Sequence, residues 1–392
     1  MKERWTIDPG VTFLNHGSFG ACPRAVLEAQ SALRARLERD PMRFFLQDLE
    51  ELTARARERV AAFVGARPED LGFVRNATSG VNAVVRSLRF APGDELLVTD
   101  HGYNACKNVC DFVAARDGAK VVVAKLPWPI ASEDDVVEAI VGAVTERTRL
   151  ALIDHVTSPT GLVLPIAEIV RRLDARGVDT LVDGAHAPGM LELDLNALGA
   201  AWYAANFHKW TCAPKGAAML WARADKQAGL HPATISHGYN SRRDRARFLE
   251  EIDWTGTDDP TSWLCVPVAI DYLEQLVGWP ALRERNRALV LEGRDLLCDA
   301  LGVQPPAPDS MIGSLAALVL PDAPDAGPPA SALYANPLQR ALVERYQIQV
   351  PIPPWPAPPR RLVRISAYLY NDRAQYAYLA EALTALLAEE RG

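Results

Sequence analysis

Cysteine is scarce in this chain, and so are long apolar runs and any excess of positive charge. Six cysteines in 392 residues are too few for a disulfide scaffold, so we expect free thiols and a reducing compartment. No stretch approaches the roughly 18 uninterrupted apolar residues that a membrane-spanning helix needs. The formal net charge of −7 argues against a dedicated nucleic-acid or anionic-membrane surface.

The first residues also lack the features of an export signal. Residues 1–5 include an acidic side chain, and no long apolar stretch follows them, so the expected location is the cytoplasm. The composition that remains, with 49% apolar and 23% charged residues, is typical of a folded globular protein. Its length predicts two or three structural units, at roughly 100–200 residues each.

Short β-branched runs alternate with longer helical periods through the first 250 residues. This rhythm indicates an α/β fold with a mostly parallel sheet that is covered by helices on both faces. The predicted strands span residues 95–99, 120–125, 149–156, 180–183 and 200–205. The predicted helices span residues 24–40, 46–64, 104–116 and 165–176, and a capping box at residues 132–135 precedes one more.

The rhythm changes after residue 255. The later elements are two long helices at 262–276 and 279–301, a proline-rich stretch at 304–329, a strand at 314–320, a helix at 337–346, strands near Ile348 and Val363, and a helix at 372–389. This pattern suits a smaller α+β domain. We therefore predict a large domain over residues 16–255, and a small domain over residues 256–392 onto which residues 1–15 fold back.

A lysine between aromatic residues follows the last predicted strand of the large domain. Lys209 lies between Phe207 and Trp210 in the run from Asn206 to Trp210. Desolvation at such a position disfavours the ammonium and yields a nucleophilic amine, which can form a Schiff base with a carbonyl. Taken alone, Lys209 is better explained as a solvated surface lysine, which describes most lysines.

Polar side chains follow other predicted strands, and each again has a plain structural alternative. Asp183 ends an apolar strand, where it pairs with a buried cation or simply caps a turn. Thr78 and Ser79 precede an apolar helical period, so they hold a phosphate or form an ordinary N-cap. His101 stacks on a flat ligand or is a solvated residue of a surface turn. Thr157 lies in a similar turn.

The order of these features is more informative than any one of them. A phosphate cradle, a ring, a hydroxyl, an acid and a lysine follow one another at successive strand ends. Pyridoxal phosphate (PLP) requires this set, because its phosphate, its ring, its pyridine nitrogen and its aldehyde each need a partner. A nicotinamide-binding dehydrogenase fits the rhythm less well, since no Gly-x-Gly-x-x-Gly follows the first strand.

Four segments carry a resemblance to a known family. They are residues 13–20 (Phe-Leu-Asn-His-Gly-Ser-Phe-Gly), residues 208–216 (His-Lys-Trp followed by Ala-Pro-Lys-Gly), residues 254–257 (Trp-Thr-Gly-Thr) and residues 363–371 (Val-Arg-Ile-Ser and Tyr-Asn). With them the chain resembles the class V aminotransferase family, and within it the isopenicillin N epimerase-like branch. The resemblance implies a fold-type I PLP-dependent transferase architecture, with a mostly parallel large domain and a smaller α+β C-terminal domain.

The resemblance also implies a role for individual residues. It makes Lys209, Tyr103 and His101 the catalytic group, with Lys209 bound to the cofactor and His101 stacked on its ring. Other cofactor contacts are implied for Thr78, Ser79, Thr157, Asp183, His186, Asn206, His208 and Thr257. Asn15, His16 and Arg364 are implied to bind the substrate. In relatives the position of Thr257 reaches the phosphate of a neighbouring subunit, which implies a homodimer with shared active sites.

The implied reaction occurs at the α-carbon of an amino-acid-type substrate. Epimerisation is the leading expectation, with carbon–sulfur β-elimination as the alternative and transamination behind it; a non-catalytic cofactor-binding module ranks lowest. No cysteine follows Cys298, which counts against a desulfurase that forms a persulfide on a C-terminal cysteine. Cys106 and Cys110 lie four residues apart on one helix, where helix packing explains them better than a metal site. We expect no metal.

Overall fold

The computed structural model describes residues 1–324, 327 and 336–391. Part of the proline-rich stretch predicted at residues 304–329 therefore lies outside the described residues. The strands of the described part are β1 (Thr12–Phe13), β2 (Leu71–Val74), β3 (Glu95–Thr99), β4 (Lys120–Ala124), β5 (Thr148–Asp154), β6 (Asp179–Asp183), β7 (Trp202–Asn206), β8 (Ala218–Ala222), β9 (Leu315–Leu320), β10 (Ile348–Gln349) and β11 (Arg361–Ser366).

The α-helices surround these strands. Those of the described residues are α1 (His16–Phe19), α2 (Arg24–Arg39), α3 (Pro41–Arg43), α4 (Leu49–Val64), α5 (Ala77–Ser87), α6 (Asn104–Asp117), α7 (Glu133–Gly142), α8 (Ile166–Asp174), α9 (Leu195–Leu198), α10 (Arg247–Ile252), α11 (Thr261–Leu264), α12 (Val266–Leu276), α13 (Trp279–Leu301), α14 (Pro337–Tyr346) and α15 (Arg373–Arg391). Within this part of the chain, no helix has the length and apolar character that crossing a membrane requires.

Seven strands form the central sheet, in the order β2-β8-β7-β6-β5-β3-β4. Strands β3 to β7 run parallel, whereas β8 is antiparallel to both β7 and β2. Alternate residues of one strand enter different cores: Leu96 and Val98 pack on one side of the sheet and Leu97 on the other. The predicted mostly parallel α/β sheet with two covered faces is thereby confirmed.

The predicted helices are confirmed with one local difference. The capping box is present, since Ser132 accepts a hydrogen bond from the backbone of Asp135 and Asp135 accepts one from the backbone of Ser132. The helix predicted at residues 262–276 is instead two helices, α11 and α12, that meet at Cys265. Pro267 in the first turn of α12 explains the break, because proline lacks the N–H that would continue the helical bonding.

The C-terminal region contains a smaller sheet. Strands β9 and β11 pair in antiparallel register, and α13 packs against both of them and against α15. The N-terminal strand β1 pairs in parallel with β10, and the backbone of Leu14 bonds to both Gln349 and Ser366. The N-terminal segment thus packs on C-terminal strands. The domain boundaries given above remain a prediction.

The carboxyl ends of β5, β6 and β7 lie side by side, which brings distant residues together. Asp154 and Asp183 are register partners at the ends of β5 and β6. Gly184 follows β6 in close contact with β7: an added Cβ would lie 2.1 Å from Cε1 of Tyr203. A side chain at residue 184 would therefore push the two strand ends apart, so the Asp-Gly sequence suits this position.

Candidate active site

A cavity of about 270 Å³ opens at these strand ends. Its walls come from the start of α5, the loop before α6, the ends of β5 to β7, and the N-terminal segment. The residues that line it are Ser18, Phe19, Asn76, Ala77, Thr78, Tyr103, Asp154, Val156, Ser158, Asp183, Ala185, His186, Asn206, His208 and Lys209. In open α/β sheets this edge is where ligands bind.

Lys209 presents a buried amine to this cavity. Its Nζ lies 3.0 Å from Nε2 of His186, and the indole N–H of Trp210 donates to Nδ1 of the same ring. Because the indole can only donate, the proton of a neutral His186 sits on Nε2, and a neutral Nζ accepts it. Burial, reinforced by the charge of Arg364, lowers the pKa of Lys209 to about 7, against the opposing pull of Asp183.

Two buried carboxyl groups lie beside the amine. Asp183 accepts hydrogen bonds from the thiol of Cys106 at 3.1 Å and from the backbone N–H of Ala185 at 3.0 Å. Burial raises the pKa of Asp183, while these two bonds and Lys209 lower it. Burial, followed by the charge of Asp183, raises the pKa of Asp154 well above its usual value. The cavity therefore offers an acidic wall to a cation.

The start of α5 supplies backbone N–H groups at another wall. Asn76 caps the helix by accepting from the backbone and hydroxyl of Ser79, and Asn206 accepts from the backbone of Ala77 at 2.8 Å. Thr78 lines the cavity in the same turn, and His208 lies close by with its Nδ1 3.0 Å from the carbonyl of Ala217. A helix N-terminus with nearby hydroxyl, amide and imidazole groups suits a phosphate.

Arg364 is a buried cation without an anion. One of its terminal nitrogens donates to the carbonyl and hydroxyl of Ser158, and the other to the Ser18 hydroxyl at 2.9 Å and to Asn15 at 3.4 Å. Its Nε has no partner, and no carboxylate of the described residues pairs with it. Burial lowers its pKa to about 10. A buried guanidinium without a charged partner is costly, which makes Arg364 a candidate to bind a carboxylate.

The structure places several predicted residues away from the cavity walls. His101 is fully buried against Trp128 and Trp355, with Nδ1 2.8 Å from Thr160 Oγ1, whereas Tyr103 lines the cavity. Of the two residues expected near the cofactor ring, Tyr103 is therefore the one exposed to this space. The role predicted for His101 as the stacking residue remains a prediction.

Other predicted contacts are occupied by the protein itself. His16 stacks on Tyr368 and bonds to the Tyr370 hydroxyl and the carbonyl of Lys209. The hydroxyl of Thr157 is used within its own turn. Ser79 lies behind Thr78, facing a different pocket. Thr257 is exposed on a loop and does not line the Lys209 cavity.

The N-terminal segment closes tightly over the backbone that carries Lys209. Gly20 has a φ of +67°, and an added Cβ would lie 2.3 Å from the carbonyl oxygen of His208. Because Gly20 packs this closely on the backbone of His208, the preceding residues Ser18 and Phe19 reach the cavity. Reasoning from the sequence missed both residues as cavity residues, although they belong to the segment that carried the family resemblance.

Asp154, Ser158 and Cys106 were missed as well. Asp154 ends its strand as Asp183 does, so the same reading of strand ends would have found it. Ser158 is in the turn that was considered for Thr157. Cys106 was attributed to helix packing alone, and no sequence signal shows that its thiol meets Asp183.

The described residues fit PLP on observations of this structure. An amine with a depressed pKa, an acidic wall, and a helix N-terminus at which an amide already orients a backbone N–H share one cavity. Lys209 would hold the aldehyde, Asp183 the pyridine nitrogen, and Thr78 with Asn206 and His208 the phosphate. The fold and the site together define a PLP-dependent enzyme of fold type I.

Comparison with known proteins gives the family. Residues 22–307 match the model of aminotransferase class V, and the chain belongs to that family. Isopenicillin N epimerase of Amycolatopsis lactamdurans is 39% identical, over 98% of this chain and 97% of the relative. A probable chloroplastic L-cysteine desulfhydrase of Arabidopsis thaliana is 31% identical, over 97% and 84%. The family, the PLP cofactor and the enzymatic nature predicted from the sequence are confirmed.

A solved structure supports the same fold. A variant of the cystine C–S lyase C-DES, with glycine covalently linked to its PLP cofactor, superposes with a TM-score of 0.80. It covers 98% of this chain and 99% of its own, at 21% identity. The fold-type I architecture predicted from the sequence is thereby confirmed.

Capture of PLP by the cofactor-free protein should depend on pH. The attacking amine must be neutral, and the pKa of Lys209 is about 7, so the rate should rise with pH through about 7 and level off above it. An ordinary lysine, with a pKa near 10.4, would give a rate still rising at pH 9. Stopped-flow absorbance between pH 5.5 and 9.5 measures the profile. A rate that climbs steadily to pH 9.5 would contradict the lowered pKa.

Proposed function

We propose that this protein is a PLP-dependent epimerase that acts at the α-carbon of an amino-acid-type substrate. The observation that carries the proposal is Arg364, a buried guanidinium that pairs with no anion among the described residues and whose partners Ser18 and Ser158 line the cavity of Lys209. An α-carboxylate bound there would bring the α-carbon beside Nζ of Lys209. Similarity over the whole chain to isopenicillin N epimerase supports the epimerase reading.

PLP, when bound, supplies an electron sink that stabilises negative charge at the α-carbon. Arg364 binds the α-carboxylate through two terminal nitrogens, a task that suits a planar guanidinium. Lys209 accepts the α-proton at Nζ, and its lowered pKa places it near neutral pH, where a general base is most effective. Asp183 would pair with the pyridine nitrogen of the cofactor and favour its protonated form.

Tyr103 is the proposed acid on the face opposite Lys209. It lines the cavity and is 43% exposed, so its hydroxyl has access to bound substrate. Burial, followed by the nearby Cys106 and Asp183, raises the pKa of Tyr103, so the phenol keeps its proton at neutral pH. Epimerisation requires a proton donor on that second face.

Carbon–sulfur β-elimination is the second candidate. Similarity to the Arabidopsis desulfhydrase supports it, and the early residues of the mechanism are the same in both reactions. The difference lies in whether the substrate carries a β-leaving group and whether a proton returns to the α-carbon. Transamination remains the third and least favoured reading.

Incubation of the holoenzyme with single L-amino acids in heavy water separates these reactions. An epimerase should give α-deuterated amino acid of both configurations, measured by chiral chromatography and mass spectrometry. With a substrate that carries a sulfur leaving group on its β-carbon, a lyase should release a thiol, ammonia and a keto acid together and leave little deuterated amino acid of D configuration. Tyr103→Phe should reduce formation of the D product about 10²-fold or more, while deuterium still enters with retention. If Tyr103→Phe reduces D-product formation and deuterium incorporation equally, Tyr103 is not the acid on the second face.

We also propose a homodimer with shared active sites. Thr257 is exposed in one chain and lies outside the Lys209 cavity, which is consistent with a contact to the partner's cofactor. The cytoplasm remains the proposed location. Sedimentation of the holoenzyme tests the dimer, and a monomer at active concentrations would reject it.

A further inference from the structure

The carboxylate of Asp183 is held by two donors from the protein. The Cys106 thiol lies 3.1 Å from Oδ2, and the Ala185 backbone N–H lies 3.0 Å from Oδ1. Cys106 belongs to the first turn of α6 and Asp183 to the end of β6, and both are buried. Each oxygen thus has one bond from the protein and keeps a lone pair for a ligand in the cavity.

The direction of the thiol bond follows from the chemistry of both groups. An ionised carboxylate can only accept, so Cys106 must donate. Burial and the charge of Asp183 raise the pKa of Cys106 well above its usual value, which keeps the proton on sulfur. In return, the bonds from Cys106 and Ala185 lower the pKa of Asp183, against the effect of burial.

Other titratable groups face Asp183 from the surrounding elements. Asp154 approaches from β5, Lys209 from the segment after β7, Tyr203 from β7 and Tyr103 from the residue before α6. Of these, only Lys209 favours the ionised form of Asp183. The burial of Asp183 must therefore be offset by hydrogen bonds, and the side chain that supplies one is Cys106.

We propose that Cys106 is a positioning residue that keeps Asp183 ionised and oriented toward the pyridine nitrogen of PLP. The inference rests on the role proposed above for Asp183. Helix packing alone does not explain Cys106, because Cys110 is buried one turn further along α6 and its thiol makes no hydrogen bond within the described residues. Both cysteines are buried on the same helix, but only the thiol of Cys106 bonds to Asp183. Cys110 is therefore a matched control.

The test compares Cys106→Ala, Cys106→Ser and Cys110→Ala. Loss of the donor should weaken binding of PLP to the cofactor-free protein about 3- to 10-fold, the range for a weak donor to a charged acceptor. It should also raise the pH midpoint at which the visible absorbance of the lysine-bound cofactor changes. Without the thiol donor the pKa of Asp183 rises, and a more basic Asp183 draws the proton from the pyridine nitrogen. Cys106→Ser should restore both values, and Cys110→Ala should match the wild type. Absorbance titration measures both quantities without any substrate.

The outcomes separate this inference from the role of Asp183 itself. Equal behaviour of Cys106→Ala and Cys110→Ala would overturn the inference, as would failure of serine to restore the midpoint. Asp183→Asn serves as a further arm. If it weakens PLP binding while Cys106→Ala does not, only the role of Cys106 is lost. If Asp183→Asn binds PLP as the wild type does, the proposed role of Asp183 itself is wrong.

Discussion

Replacing Lys209 with alanine should abolish the visible absorbance of the lysine-bound cofactor and reduce kcat at least about 10³-fold. The loss should be large because the proposed function gives one amine two duties: it would bind the cofactor covalently and accept the α-proton. No other lysine lines the cavity within the described residues, so no second amine is in place to substitute for it. Absorbance spectra and steady-state rates of the purified variant measure both effects.

Lys215 offers a matched control for this experiment. It lies six residues further along the chain and is exposed, with its backbone carbonyl accepting a hydrogen bond from Ser262. Lys215→Ala should keep both the spectrum and the rate of the wild type. A Lys209→Ala protein with an unchanged spectrum would reject Lys209 as the covalent attachment point. An unchanged kcat would reject it as the base.

The parallel strands were predictable because of where they lie in the fold. A strand with helices on both faces reads as a mostly apolar run, and β3, β5 and β6 have this character. Strands β2 and β8 escaped prediction. The first has four residues including Gly72, and the second, Ala-Met-Leu-Trp-Ala, has no β-branched residue. Neither carries the signal that identified the others.

The candidate site was predictable where it depends on strand ends, and less so where it depends on loops. Asp183 and Lys209 follow from the rule that ligands bind at the carboxyl ends of parallel strands. Whether His101 or Tyr103 faces the cavity depends on the path of a short turn, and hydrophobic periodicity does not predict that path. The contact of Cys106 with Asp183 joins residues 77 positions apart. Helical period places Cys106 on a buried face without indicating what it meets there.

Arg364 illustrates a different limit. It lies on β11, more than 150 residues after Lys209, and only the family resemblance connected the two. The physical reason for the role proposed for it became visible in the fold, because the N-terminal segment and the turn after β5 surround the guanidinium with neutral hydrogen-bond acceptors. Residues from both ends of the chain therefore contribute to the proposed substrate pocket.

Replacement of Arg364 with alanine should raise KM for the amino-acid substrate about 10²- to 10³-fold and leave the cofactor spectrum unchanged. The expected loss, about 3–4 kcal/mol, lies within the range for breaking a buried ion pair, because the substrate carboxylate would enter the cavity without a cation. Steady-state kinetics and absorbance spectra of the same preparation measure the two effects.

Three further variants define what the arginine contributes. Arg364→Lys retains the charge and loses the two-pronged geometry, so it should recover only part of the affinity. Ser18→Ala removes the hydroxyl that accepts one hydrogen bond from Nη2 of Arg364 and should raise KM only a few-fold. Arg360→Ala removes an exposed arginine beside β11 and should leave KM unchanged. If Arg364→Ala has the KM of Arg360→Ala, the substrate carboxylate binds elsewhere, and the proposed placement of the α-carbon beside Lys209 is wrong.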